Sequence, residues 1–171
     1  MRRHAPQVRF IREVEMYPTL LQLLGRIGHV VAEVPFFGKR IDLLVASPSF
    51  ASLYAVETKL HDWRDAFKQA ALNQLAAQRS YIAVPSQLAA RLAEREADLF
   101  RRYDVGLVAV GEATRVLIQP RKNGCFSLRH YRVLKETLKK AHLTKPKKIG
   151  VVADAIANRS KALVVLQTRT D

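Results

Sequence analysis

Three charged side chains stand where apolar ones are expected. Asp42 lies in RIDLLVA (40–46), among Ile41, Leu43, Leu44 and Val45. Glu57 and Lys59 follow Tyr54, Ala55 and Val56 in SLYAVETK (52–59). Both runs have the composition of half-buried strands, which favour apolar side chains. Residues two apart in a strand share a face, about 6.5–7 Å apart, so Glu57 and Lys59 are expected to project together. Asp42, on the preceding strand, is their expected neighbour across the ladder. A desolvated charge costs several kcal/mol unless it is paired or bound to a metal, and adjacent carboxylates repel until one takes up a proton. A divalent cation resolves both problems, because it turns the acidic pair into hard oxygen ligands suited to Mg²⁺ or Mn²⁺. A lysine beside them then has a use: it balances a phosphate or orients an attacking water.

The rest of the composition narrows the chemistry. The chain has 171 residues with 49% apolar, enough for one domain with a real core. The single cysteine, Cys125, excludes a disulfide framework and any Cys-rich zinc site. The five histidines (His4, His29, His61, His130, His142) show no metal-ligand spacing. No apolar run reaches the roughly 18–20 residues of a membrane span, and MRRHAPQVRF lacks the apolar stretch of a signal peptide. A cytoplasmic protein with no membrane role is expected. The 29 Lys and Arg outweigh the 15 Asp and Glu, for a net charge of +14. Most of the excess lies after residue 100 and is densest over 129–148, where RHYRVLKETLKKAHLTKPKK carries one Glu. Such a balance favours a polyanionic partner, nucleic acid first.

Hydrophobic periodicity supplies the elements that must hold these residues. A helix is expected over 13–26, with Pro18 marking its first turn or kinking it. Three strands follow at 29–35, 40–46 and 52–59, spaced as an antiparallel meander. A helix at 62–78 opens on Asp62 as N-cap, with Asp65 in its first turn. SYIAVP (80–85) reads as a buried central strand. Then come a helix at 86–103 capped by Ser86, strands at 105–110 and 114–120, and a basic helix at 130–142. The tail holds a weak helix (VVADAIANR), with faint helix-turn-helix character, and a strand (ALVVLQ), beyond a loose boundary at 143–149. The expectation is an α/β protein, a mixed central sheet flanked by helices. Residues 1–128 form its core and 129–171 a basic helical extension.

With these residues in this order, the chain resembles the PD-(D/E)xK nuclease superfamily, the restriction-endonuclease-like fold, over roughly 12–120. The resemblance rests on Ile41-Asp42-Leu43, on Glu57-Thr58-Lys59 as an ExK triplet, on Glu13 ahead of Tyr17-Pro18, and on Gln69 in the helix after ExK. SYIAVP and VGLVAV also match, as does the α-β-β-β-α-β order. Arg40-Ile41, not Pro, precedes Asp42. An ExK triplet alone is expected by chance about 0.5 times in such a chain, so its context carries the weight.

The resemblance implies a Mg²⁺-dependent endonuclease, on DNA before RNA, leaving 5′-phosphate and 3′-hydroxyl ends. Asp42 and Glu57 would hold the metal with the Thr58 carbonyl, and Lys59 would position the water and stabilise the transition state. Glu13 would serve a second metal or a metal-bound water, and Gln69 would orient Lys59 or the phosphate. Arg129, Arg132, Lys135, Lys139, Lys140, Lys145, Lys147 and Lys148 would take phosphates. A homodimer suits cutting of both strands. Plainer readings stand beside these. Asp42 pairs with Arg40 or Lys39; Glu57 and Lys59 form a solvated pair; Glu15 replaces Glu13; Gln69 and the basic helix are solvent-facing. His61 is structural, Trp63 core and Cys125 packing. The alternative function is a non-catalytic nucleic-acid-binding module on the same fold.

Overall fold

The computed structural model describes residues 9–124, 126–143 and 164–166. A 3-10 turn at Glu13–Met16 leads into α1 (Tyr17–Leu24), with Pro18 in its first turn where no backbone N–H is needed. The expected single helix over 13–26 is therefore two shorter pieces. The meander follows as β1 (His29–Phe36), β2 (Lys39–Ala46) and β3 (Leu53–Thr58). α2 (Trp63–Asn73) is capped as expected, the Asp62 side chain accepting from the Asp65 N–H at 3.3 Å. It stops five residues short of the expected end.

β4 (Arg79–Pro85) leads into α3 (Ser86–Arg95) and α4 (Ala97–Arg102), which break the expected 86–103 helix at Glu96, φ −121°. Ser86 does not cap α3; its hydroxyl donates to the Val110 carbonyl at 2.9 Å and ties the helix start to the sheet. β5 (Val105–Val110), β6 (Arg115–Ile118), α5 (Leu128–Leu143) and β7 (Val164–Leu166) complete the order. The expected helix in VVADAIANR and the boundary segment from 144 lie outside the described residues.

The strands form one mixed sheet in the order β6-β5-β4-β3-β2-β1-β7. β1, β2 and β3 pair antiparallel, and β3–β4 and β4–β5 are parallel. The parallel pairs require crossovers, which α2 and the α3–α4 pair supply. One face is covered by α1: Leu20, Leu21 and Leu24 pack on Ala32, Leu43 and Val56. On the other face, α5 buries Leu134 and Leu138 against Val31, Leu44 and Ala55. α2, α3 and α4 pack Ala66, Ala70, Leu92 and Phe100 against Ile82 and Leu107. The basic helix, expected as an extension from 129, thus shares the core of the body before it.

One irregularity breaks this regular frame. Ala32 pairs with Leu43 and Val34 with Ile41, but the step between them, Glu33 and Asp42, departs from the pleat. Val31 and Val34, three residues apart, face α5 together, as do Ile41 and Leu44. Glu33 has φ +57°, a left-handed conformation that costs a side-chain-bearing residue of order 1 kcal/mol or more. The kink turns Glu33 and Asp42 toward α1.

Candidate active site

The β2–β3 ladder stops at Leu43–Val56, one step short of Asp42 and Glu57. Beyond it the two strands are joined by a side chain. Asp42 Oδ2 accepts from the Thr58 N–H and from Thr58 Oγ1, each at 2.7 Å. The Lys59 N–H donates to the Ala83 carbonyl on β4 at 3.1 Å. A trans peptide holds its C=O opposite its N–H, so the Thr58 carbonyl points away from β4, into the gap beside Asp42.

Glu57 is only 3% exposed. α2 anchors it: Asn73 Nδ2 donates to Glu57 Oε1 at 2.6 Å. Strand alternation places Glu57 on the α2 side of β3 and Thr58 on the α1 side. Asp42 and Glu57 therefore flank the end of the strand from its two sides, which corrects the expectation that they share one face. They still feel each other. Burial, then the Asp42 charge, pushes the Glu57 carboxyl up to about 8. Burial raises Asp42 to about 6 against the lowering effect of the two Thr58 hydrogen bonds, with Glu33 adding to the rise.

Lys59, one residue past β3, is half-buried, and its ammonium lies 3.4 Å from Glu13 Oε1. Burial disfavours its charge, yet the Glu13 and Asp42 carboxylates outweigh that and raise its pKa. Glu13 therefore stands at the site and Glu15 does not. Glu15 Oε2 accepts from the Ile11 N–H at 2.8 Å, and its other oxygen pairs with Arg12. Gln69 donates to Asp65 at 2.7 Å, one turn back on α2, and makes no contact with Lys59 among the described residues. Asp42 pairs with neither Arg40 nor Lys39; Arg40 reaches Glu33 at 3.5 Å. Trp63 is core, as expected, whereas His61, expected to be structural, is exposed. Arg129, Arg132 and Lys140 are exposed on α5; Lys135 and Lys139 are half-exposed, the latter 3.2 Å from Glu136. Lys145, Lys147, Lys148 and Cys125 lie outside the described residues.

Three partners escaped the sequence reading. Glu33 faces Asp42 across the kink and accepts a long hydrogen bond, 3.5 Å, from the Tyr17 hydroxyl. Burial and the nearby Asp42 and Glu33 charges push the pKa of that hydroxyl up, so it stays protonated and a donor. Glu33 carried a signal of the same kind as Asp42, an acid in the apolar run HVVAEVP. Asn73 continues the buried stripe of Ala66 and Ala70, where a polar residue requires a partner.

Chemically, the arrangement offers oxygen donors for a hard cation. Thr58 engages Asp42 Oδ2 and Asn73 engages Glu57 Oε1, so one oxygen of each carboxylate is held by a donor on a neighbouring element. Burial raises the proton affinity of both, and the nearby Lys59 charge offsets that only in part. The donor set fits Mg²⁺ or Mn²⁺. No three Asp, Glu, His or Cys side chains among the described residues gather into a cage of their own, so such an ion would keep several waters.

No family model matches the chain, and no curated protein matches it. Among solved structures the chain is similar to the SPO1766 protein of unknown function from Silicibacter pomeroyi. The two share 17% identity and a TM-score of 0.56, over 90% of this chain and 97% of that one. That likeness is one of fold: a mixed α/β sheet flanked by helices. No helix among the described residues is long and apolar enough to cross a membrane.

Proposed function

We propose that the chain is a metal-dependent nuclease that hydrolyses phosphodiester bonds, in DNA before RNA, on a restriction-endonuclease-like core. One observation carries the reading. Two largely buried carboxylates, Asp42 and Glu57, flank the open end of the β2–β3 ladder, with the Lys59 ammonium one residue past β3. The order α1-β1-β2-β3-α2-β4, with its parallel β3–β4 crossover, supports it further.

Asp42, Glu57 and the Thr58 carbonyl would hold Mg²⁺ or Mn²⁺, which supplies positive charge for phosphoryl oxygens and lowers the pKa of a bound water. The chain's own residues do the rest. Thr58 fixes the Asp42 carboxylate through two hydrogen bonds, and Asn73 fixes Glu57. Lys59 offers its ammonium to the attacking water or to a phosphate oxygen, stabilising charge as it builds. Glu13 holds that ammonium in place and keeps it protonated. Gln69 acts at one remove, by orienting Asp65, whose charge also reaches Lys59. Exposed Arg129, Arg132 and Lys140 supply salt-dependent phosphate contacts.

The test is cleavage of plasmid and single-stranded DNA in Mg²⁺ or Mn²⁺ by wild type, Lys59→Ala and Asp42→Asn. Metal-dependent cleavage lost in both variants is expected; cleavage unchanged in Lys59→Ala contradicts the assignment. A second reading is a nucleic-acid-binding module without catalysis. It is favoured by the Thr58 and Asn73 hydrogen bonds, which satisfy one oxygen of each carboxylate without a metal. DNA binding without cleavage in either metal supports it.

A further inference from the structure

The hairpin joining β1 and β2 runs past the last β2–β3 pair, its tip on the α5 side of the sheet. Phe36 pairs with Lys39, so Phe37 and Gly38 form a two-residue loop, with φ of +48° and +71°. Positive φ at both central positions is the type I′ geometry, which ordinarily takes Asn-Gly or Asp-Gly. A phenylalanine there is strained, and the fold gains little for it, since Phe37 is 53% exposed.

The ring is nevertheless braced. Phe36 lies edge-on to it with centroids 4.7 Å apart, and His130, at the start of α5, lies 4.8 Å away. Lys39 and Arg40 are exposed on the same hairpin, and Arg129, next to His130, is exposed too. From Lys39 to Asp42 is three strand residues, about 10 Å. The sequence alone shows few aromatics near the basic helix. The fold brings two to its first turn.

We propose that this hairpin tip is a nucleic-acid contact, in which the Phe37 ring stacks on an unpaired base and Lys39 and Arg40 take the adjoining phosphates. It rests on the nuclease reading and names its substrate class: single-stranded or locally unpaired strands, because a base inside an intact duplex presents no free face to a ring. Stacking on an exposed aromatic is sequence-tolerant, and the lysine and arginine contacts are salt-dependent. The cationic surround selects a polyanion over a second, equally basic copy of this chain.

The full chain is tested without divalent metal, by fluorescence anisotropy on labelled single-stranded and blunt duplex oligonucleotides. Phe37→Ala is expected to weaken single-strand binding roughly 5- to 150-fold, the loss of one stacked base, with little change on duplex. Phe37→Trp restores it. Paired Lys39→Ala and Arg40→Ala substitutions weaken both substrates and reduce the salt slope by about 2. Phe37→Gly relieves the positive φ, so it raises the melting temperature while losing the same affinity, which separates contact from fold. Single-strand affinity unchanged in Phe37→Ala overturns the proposal, as does a concentration-dependent dimer that Phe37→Ala abolishes. If wild type cleaves and the Phe37 variants bind normally, the tip fails and the nuclease reading survives. If wild type binds through Phe37 and never cleaves, the reverse holds.

Discussion

β4–β5 and β1–β2 are both buried strand pairs, yet they are built differently. β4 and β5 pair over six residues, Ser80–Val105 to Pro85–Val110, without a break, and every residue of β5 is buried. Gly106 lets the Tyr81 ring lie directly on the backbone, where a Cβ would collide with it. β1 and β2 are as apolar at their far end but kink at Glu33 and Asp42. Where the pleat is regular, side chains alternate into two apolar faces and charge has no room. Where it breaks, the ladder opens and carboxylates enter. The β4–β5 half is arranged for stability; the β1–β2–β3 end carries unfavourable charge and strain. Such features persist where a ligand or substrate draws on them.

The largest test of this contrast is functional. Lys59→Ala should lower metal-dependent cleavage by about 10²–10⁴-fold and leave the melting temperature nearly unchanged, read by plasmid nicking and circular dichroism.

The next is in the regular half. Leu107→Ala, in the core under α3 and α4, should cost about 2–5 kcal/mol in urea unfolding with no specific effect on cleavage by the folded fraction.

Acidity separates the two halves further. Asp42 and Glu57 keep their protons in the native state up to about 6 and about 8, whereas in the unfolded chain they lose them at ordinary carboxylate values. The native state is therefore favoured at low pH and loses that advantage as pH rises from about 4 through 8. Without metal, the wild-type melting temperature should fall over this window relative to a double Asp42→Asn, Glu57→Gln variant. Mg²⁺ added at pH 8 should recover it for the wild type alone.

Asn73→Ala removes the donor to buried Glu57 and should cost about 1.5–3 kcal/mol by denaturant titration. The smallest effect is at the kink. Glu33→Gly relieves φ +57° and should stabilise by about 1 kcal/mol, a gain that the same substitution on a regular strand would reverse.

Much of this was legible in the sequence. Alternation and run length located β1 to β6, and Asp42, Glu57 and Lys59 announced themselves as charges in apolar strands. The Tyr17-Pro18 register pointed to Glu13 over Glu15, and the ammonium contact agrees. Helix lengths were less legible: Pro18 marks the break at Met16, but the ends at Asn73 and Glu96 leave no glycine or proline behind. The face of Asp42 was hidden as well. A period-2 pattern presumes an unbroken pleat, and the kink at Glu33 exists only once β1 and β2 pair. The same cause hid Glu33, and the His130–Phe37 contact joins residues 93 apart along the chain that only the fold brings together.

The central proposal is that Asp42 and Glu57 would hold a hard cation. Calorimetric titration of Mn²⁺ into the full chain at pH 7.5, in two buffers of different ionisation enthalpy, tests it most directly. Saturable binding with proton release, weakened at least tenfold by Asp42→Asn, is the predicted result. Absence of binding, or equal binding by Asp42→Asn, would contradict it.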